Sequence, residues 1–418
     1  MSFQLLTILV AAAGLAMVGL TYGAAAAHFM SATLAALVLV SYISARLSGR
    51  ALEARRQVGD HVFDGDLFEA LVELTNHGRL PLFLLKVSET ISPWLVPQTN
   101  LDFIVAALWP GETVRFPYRL RATKRGVHPI GPLHVTVSDP FGFFLRRIPL
   151  QTFSEAVIYP TPIPLTGGTA GTGLDAHPVG TGERARGAES GMEFHGIRDY
   201  QPGDELRRIH WPATAHHATL TVIEFDQGVS ENMAVVLDTR AGTEFGSGAH
   251  TTLEVAVRAA ASLARRTLEG EGIFFLANHS AAGPQWLEVD RLDREHEVLE
   301  ALARVNSDGA QPVASVAEWA TPLLPPGAAV CIITAAPDLP LAKVAEHLSY
   351  AAAASSVAVL ALDPSSFDPS IGRGLRVPPF LSPDELARAL APAGGTVVAL
   401  RRDHDLREAL EGVIFASS

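Results

Sequence analysis

From Met1 to Ala45 the chain carries no Asp, Glu, Lys or Arg, and its first charged side chain is Arg46. A bilayer core needs roughly 20 apolar residues per crossing helix, so a stretch of this length fits two crossings. Residues 1–45 therefore predict a transmembrane helical hairpin, with spans at Leu5–Tyr22 and Ala24–Ile43 and a turn at Tyr22-Gly23. Gly14, Gly19, Ala35 and Ala36 suit close helix packing in lipid. The competing readings are a single span and a cleaved signal peptide; the latter needs a basic leading segment, and Met1–Gln4 offers none. Arg46, Arg50, Arg55 and Arg56 follow the second span, opposed only by Glu53. Arginines collect on the cytoplasmic side of spans, so the expected protein is a two-span cell-membrane protein whose soluble domains face the cytoplasm.

The remaining length, within 418 residues, allows two or three domains with sizeable cores. Hydrophobic residues at 48% against 18% charged rule out a disordered solvating chain. A net charge of −12 argues against nucleic acid as a partner, which would require a basic face. The single cysteine, Cys331, excludes an intramolecular disulfide framework and any multi-cysteine zinc site. It lies mid-strand in an apolar run, where burial and inertness are expected.

Residues 46–160 read as a β-rich, sandwich-like domain. Leu67–Thr75 alternates apolar and polar residues before the turn signal Asn76-His77-Gly78. Phe83–Ser88, Asp102–Leu108, Val114–Leu120 and Leu133–Val137 follow as further short strands. Two punctuated stretches lie near its end, Arg125-Gly126 through Gly131-Pro132 and Ser138-Asp139-Pro140-Phe141-Gly142. Their glycines permit positive φ, and Asp139-Pro140 starts a tight corner. His128, alone beside Pro129, is read as structural.

Residues 161–220 read as a linker followed by a signature motif. Gly167 to Gly173 looks like a phosphate loop, yet no helix start or Lys follows it. Composition then changes sharply, and Arg198, Tyr200, Gly203, Asp204, Arg207 and Trp211 form the candidate signature cluster. Asp204 can cap a short helix over 205–210, and Arg198 and Arg207 can make forked bonds to nearby carboxylates. Tyr200 and Trp211 can lie under those guanidinium groups. The cluster reads as a structural clasp first, as a docking or ligand surface second, and as a catalytic site last.

The run R-x-Y-x-x-G-D-x-x-R-x-I-x-W-x-x-x-A, from Arg198 to Ala215, resembles the signature of the bacterial domain-of-unknown-function family fifty-eight. The two upstream stretches and the two-span N-terminus are similar to the same family. That resemblance implies a C-terminal part similar to von Willebrand factor A domains. It also implies a MoxR-type AAA+ ATPase as partner, with a transglutaminase-like membrane protein as a further one.

Residues 221–418 support an α/β reading independently. Thr221–Phe225, Met233–Leu237, Gly272–Ala277, Ala328–Thr334, Ser356–Leu362 and Thr396–Leu400 read as strands. Leu253–Leu268, Arg294–Val305, Leu341–Ala353 and Pro383–Leu390 read as helices between them. Apolar strands alternating with helices indicate a doubly wound, mostly parallel sheet, whose ligands sit beyond the carboxyl ends of the strands. Asp238, Thr334, Asp338 and Asp363 occupy that edge.

A metal-binding A domain would present D-x-S-x-S there, and this chain has Asp238-Thr239-Arg240-Ala241-Gly242. Both serine positions are lost and an arginine stands nearby, so no metal or other cofactor is expected. Asp238, Thr239 and Arg240 become a candidate partner-binding edge, with Arg240 paired to Asp238. The sequence has no H-E-x-x-H, G-x-S-x-G or G-K-[ST] run. The favoured reading is thus a membrane-anchored, non-catalytic adaptor or scaffold working with the AAA+ ATPase in the assembly or maturation of other proteins. The alternative is a membrane-bound hydrolase acting at the strand-end edge.

Overall fold

Two apolar helices open the chain, α1 (Phe3–Tyr22) and α2 (Ala25–Leu47). Gly23, at φ +63°, makes the turn between them. Both are long and apolar enough to cross a membrane, with mean hydropathies of 2.1 and 1.7. Their outward faces are apolar, as Met17, Leu20 and Phe29 show. Two hydroxyls of the second helix are satisfied inside the pair or on their own helix: Ser31 donates to the Ala12 carbonyl at 2.8 Å, and Thr33 to that of Phe29. Gly19 leaves room for the His28 ring, since a Cβ there would lie 2.8 Å from its Nδ1.

The computed structural model describes residues 3–47, 51–165, 193–199, 214, 221–226, 232–337, 339–350, 354–368, 370–371, 381–391 and 395–415. These fall into two units. The first comprises Met1–Thr161 together with Ser247–His250 and Leu299–Val305; the second holds the rest.

After the helices, the first unit is built from strands as far as Thr161. β1 (Leu52–Val58), β3 (Leu67–Asn76), β7 (Thr113–Ala122) and β5 (Leu95–Pro97) form one sheet, in that order. β2 (Val62–Phe63), β10 (Ser154–Tyr159), β8 (Gly126–Ser138), β4 (Leu82–Ile91) and β6 (Asp102–Leu108) form the other, with β9 (Leu145–Leu150) also on β8. Strict alternation along β3 turns Phe68, Ala70, Val72 and Leu74 inward, where they meet Leu85 and Val87 of β4 and Val135 of β8 in one core. The expected sandwich is present, with β1, β2, β5, β9 and β10 as strands that the sequence reading did not anticipate.

One expectation is overturned inside this core. Arg56, taken above as a membrane-flanking charge, has a fully buried side chain paired to Glu89 at 2.6 Å. Its Nη1 donates to the carbonyls of Ile130 (2.9 Å) and Thr152 (3.0 Å), and Tyr118 Oη donates to Glu89 Oε2 at 3.3 Å. Burial pushes the Glu89 carboxyl above its ordinary value despite the attraction of Arg56. The reason for the correction is register: β1 pairs with β3 so that Arg56 faces the core while Arg55 stays exposed beside Glu53. Of the four flanking arginines, Arg46 and Arg55 remain exposed charges, and Arg50 lies outside the described residues.

In the second unit β11 (Glu193–Asp199) and β12 (Thr221–Asp226) pair as a separate antiparallel ribbon. This corrects the assignment of residues 221–225 to the main sheet, because their partner is the strand that carries the start of the signature motif. β13 (Met233–Leu237) begins the main sheet; the short strands β14 (Gly246–Ser247) and β15 (His250–Thr251), whose residues 247–250 are grouped with the first unit, form a pair outside it. β16 (Phe274–Ser280), β17 (Gly283–Val289), β18 (Ala328–Thr334), β19 (Ala354–Leu362) and β20 (Thr396–Leu400) complete it in the order β17-β16-β13-β18-β19-β20. All neighbours run parallel except the β16–β17 hairpin.

β13 and β18 are buried at every residue, as central strands covered on both faces must be. Helix Thr252–Glu269 presents Val257, Ala260, Ala261 and Ala264 as a buried stripe, and Thr251 caps it by accepting from Glu254 N–H. Helices Val313–Ala320, Leu339–Tyr350 and Pro383–Leu390 share a core with Val236, Ile332 and Val359. The helix at Val313–Ala320, the final helix Leu406–Phe415 and strand β17 were not anticipated from the sequence.

Candidate functional site

The chain order of the sheet reverses between its two central strands: from β13 it moves outward through β16 to β17, then returns to β18 on the other side. The loops leaving β13 and β18 therefore diverge, and the crevice of an open α/β sheet lies between them. Asp238 directly follows β13, and Thr334 is the last residue of β18.

These two side chains meet. Thr334 Oγ1 donates to Asp238 Oδ2 at 2.7 Å and itself accepts from the Ala336 N–H at 2.9 Å. Asp238 Oδ1 accepts the Arg240 N–H at 3.1 Å, so the backbone of residue 240 is tied to the carboxylate. Thr239 Oγ1 donates to the His279 carbonyl at 2.6 Å. Gly242, at φ +85°, completes a turn in which Thr243 donates back to the Arg240 carbonyl. Asp238 and Thr239 are buried, and Arg240 is half-buried at the rim.

A second loop, which the sequence reading did not connect with this edge, holds it from the side. Gly309 N–H donates to the Thr239 carbonyl at 2.9 Å, Ala241 N–H donates to the Gly309 carbonyl at 2.8 Å, and Ser307 Oγ donates to the Arg240 carbonyl at 2.8 Å. The turn cluster Asn306-Ser307-Asp308-Gly309 was the available signal, and nothing in it names its partner. The cleft beside Asp238, lined also by Thr243, Thr252, Ser307 and Thr334, holds about 10 Å³, room for one water. Chemically it is a hydrogen-bonded carboxylate among hydroxyls. Among the described residues no group of three or more His, Cys, Asp or Glu side chains comes together. Asp363, also expected at this edge, caps the short helix Pro364–Phe367 by accepting from Ser365 N–H; Asp338 lies outside the described residues.

Tyr200, Gly203, Asp204, Arg207 and Trp211 lie outside the described residues, as does the segment 167–173. Arg198 stands in β11 opposite Val222. The two upstream stretches are fully described and are structural. Gly131, at φ +118°, lies so close to the Thr152 carbonyl that a Cβ would come within 2.4 Å of it. Within the first unit, Arg125 is buried and donates to the carbonyls of Leu302 (2.9 Å) and Val305 (2.8 Å). His128 sits between Lys124 O and Ser92 Oγ, with burial holding its ring below the ordinary imidazole value. Asp139 accepts the N–H groups of Phe141 (3.0 Å) and Phe144 (2.7 Å), closing the corner at Gly142.

Cys331, buried in β18, has its thiol pushed up to about 12 by desolvation. At pH 8 only roughly one thiol in ten thousand would be ionised. The native protein is expected to leave a thiol reagent unconsumed at that pH and to take up one equivalent on unfolding. Rapid native labelling would contradict this burial.

Taken together, the chain is a multi-domain protein with an apolar helical hairpin, a β-sandwich and a mostly parallel α/β sheet. Residues 196–280, which run from the signature strand through β13 to the end of β16, match the family model described as "Protein of unknown function DUF58". The "Uncharacterized protein YeaD" of Bacillus subtilis (strain 168) is 22% identical over 285 residues, covering 64% of this chain and 66% of that protein. The likeness to DUF58 thus rests on residues 196–280 and on this distant relative, of whose length the chain spans just under two thirds. Among solved structures, Salmonella alpha-2-macroglobulin reacted with methylamine is 17% identical over 26% of this chain and 7% of its own, at a TM-score of 0.21. A CARDB domain from Pyrococcus furiosus is 19% identical over 26% of this chain and 86% of its own, at a TM-score of 0.19. Neither likeness carries an argument about fold or function.

Proposed function

We propose that this chain is a membrane-anchored, non-catalytic adaptor whose soluble domains face the cytoplasm and whose α/β domain, similar to a von Willebrand A domain, engages a MoxR-type AAA+ ATPase. A transglutaminase-like membrane protein is the second proposed partner. The observation that carries the reading is the Asp238–Arg240 edge. It lies at the reversal of strand order, where ligands of such sheets bind, yet its carboxylate is held by Thr334 and a backbone N–H, and its cleft has room for one water. Such an edge suits contact with another surface better than turnover of a substrate. Arg240 at the rim supplies a charge that an acidic side chain of the partner would meet.

The test is capture of the ATPase from the same organism by the full chain in detergent. Arg240→Glu is expected to weaken capture at least tenfold, Arg240→Lys to weaken it less, and a chelator to leave wild-type capture unchanged. Capture that survives Arg240→Glu and vanishes on chelation would replace the arginine edge with a metal-dependent one. No capture by the wild type would remove this partner.

A further inference from the structure

The corner between β8 and β9 is fastened to the end of α2. The Tyr42 ring meets the Phe144 ring edge-on, with centroids 5.6 Å apart. The Arg46 guanidinium lies 5.7 Å from the centroid of the same Tyr42 ring. Arg146 Nη1 donates to the Arg46 carbonyl at 2.7 Å, satisfying one of the carbonyls that a helix end leaves open. Two contacts, Tyr42–Phe144 and Arg146–Arg46, thus hold this hairpin against the end of an apolar helix, and the Arg46–Tyr42 contact within the helix links them. Tyr42 is the last aromatic residue of that helix and Arg46 its first charge.

What the hairpin shows to solvent at that point is unusual for a soluble surface. Phe141 is 49% exposed and Leu145 74% exposed, and Phe141 stacks on Phe143 at 5.7 Å. Arg146 and Arg147 follow Leu145 directly in the chain, and Arg146 is bonded to Arg46, while the one carboxylate of the corner, Asp139, is completely buried in its own turn. Apolar tips flanked by arginines, with an aromatic ring at the level of a helix end, are the pattern of a polypeptide lying in the headgroup region of a bilayer.

We infer that the Ser138–Leu145 corner is a membrane-interface wedge: Phe141 and Leu145 enter the boundary between headgroups and acyl chains, and Arg46, Arg146 and Arg147 meet lipid phosphates. The inference rests on the membrane-anchor reading of α1 and α2. The occupant is the bilayer itself, because the corner is continuous with a helix long and apolar enough to cross one. The wedge fixes the orientation of the sandwich to the membrane plane, which a hairpin anchor alone would leave free.

The test uses the full chain reconstituted in phosphatidylcholine–phosphatidylglycerol vesicles, with nitroxide labels on single introduced cysteines. The buried Cys331 serves as an unlabelled background. Sites are Phe141→Cys, Leu145→Cys, Val18→Cys in α1, and Phe153→Cys as the control. Phe153 is 62% exposed and stands beyond the Ile130 end of β8, roughly 25 Å from the corner at about 3.3 Å per residue. Labels at 141 and 145 are expected to collide with oxygen at least threefold more, relative to a water-soluble nickel complex, than the label at 153. Equal ratios at 141, 145 and 153, with the label at 18 deep in lipid, would overturn the wedge and leave the anchor standing. An aqueous label at 18 would overturn the anchor reading and the wedge with it.

Discussion

Replacing Glu89 by alanine is expected to destabilise the first unit by about 3–5 kcal/mol, the usual penalty for leaving one member of a buried ion pair without the other. The side chain of Arg56 is completely buried, and among the described residues Glu89 is its sole carboxylate partner, at 2.6 Å. Arg56 Nε already lacks an acceptor, so the guanidinium has no reserve of bonds once the carboxylate is gone. The two carbonyls it retains, at Ile130 and Thr152, neutralise no charge. Hydrogen exchange of the β4 and β8 amides in the full chain should accelerate by roughly two to three and a half orders of magnitude at pH 7, following from tenfold per 1.4 kcal/mol. Replacing both residues together, Arg56→Met with Glu89→Leu, should restore most of that protection, because a well-packed apolar pair often matches a buried ionic one. Unchanged exchange in Glu89→Ala would mean that water reaches Arg56 and that the pair is not a core element.

Arg56 also shows where reading a sequence stops. In the run Leu52-Glu53-Ala54-Arg55-Arg56-Gln57-Val58, two adjacent arginines just after an apolar span look like one feature, a positive flank of the membrane. In a strand they point to opposite faces, and only the pairing of β1 with β3 decides which one faces the core. The partner carboxylate stands 33 residues away and no periodicity links the two. Where the physical signal is local, the sequence carried it: alternation marked β3, unbroken apolar runs marked β13 and β18, and helical spacing marked Thr252–Glu269. β17 begins Gly283-Pro284 and carries polar residues on its open side, so its run does not read as a strand. The helix at Val313–Ala320 is too short for its period to stand out.

The site divides in the same way. Asp238 was legible because a fully apolar strand ends on a carboxylate, which places it at a strand's carboxyl end. Thr334 follows from the same argument on β18. The loop that braces them was not legible, because Ser307 and Gly309 act on backbone carbonyls about seventy residues upstream, at Thr239 and Arg240. A bond to a carbonyl leaves no trace in the identity of the residue that supplies it.

Gly309→Ala should therefore be among the most damaging single-methyl additions in the second unit. A Cβ at this position would stand 2.0 Å from the His279 carbonyl oxygen and 3.1 Å from that of Thr239. Backbone, not a flexible side chain, is in the way, so one segment must move. If the 306–309 loop withdraws, the bonds from Gly309 N–H to Thr239 and from Ala241 N–H to Gly309 are lost together. If β16 yields instead, Thr239 Oγ1 loses its acceptor at His279. Overpacking of this kind with about two hydrogen bonds broken is expected to remove about 2–4 kcal/mol from the unit. Gly242→Ala is the internal comparison: it sits in the same turn at φ +85° with open space around its Cβ position, so only the left-handed backbone is strained, at about 1–2 kcal/mol. Denaturant titrations of the two variants should differ in midpoint in that order. If the proposed ATPase contact forms, Gly309→Ala should also weaken its capture more than Gly242→Ala under native conditions, since it shifts the backbone that carries Arg240. Equal and small losses in both variants would mean that the 306–309 loop does not brace the edge.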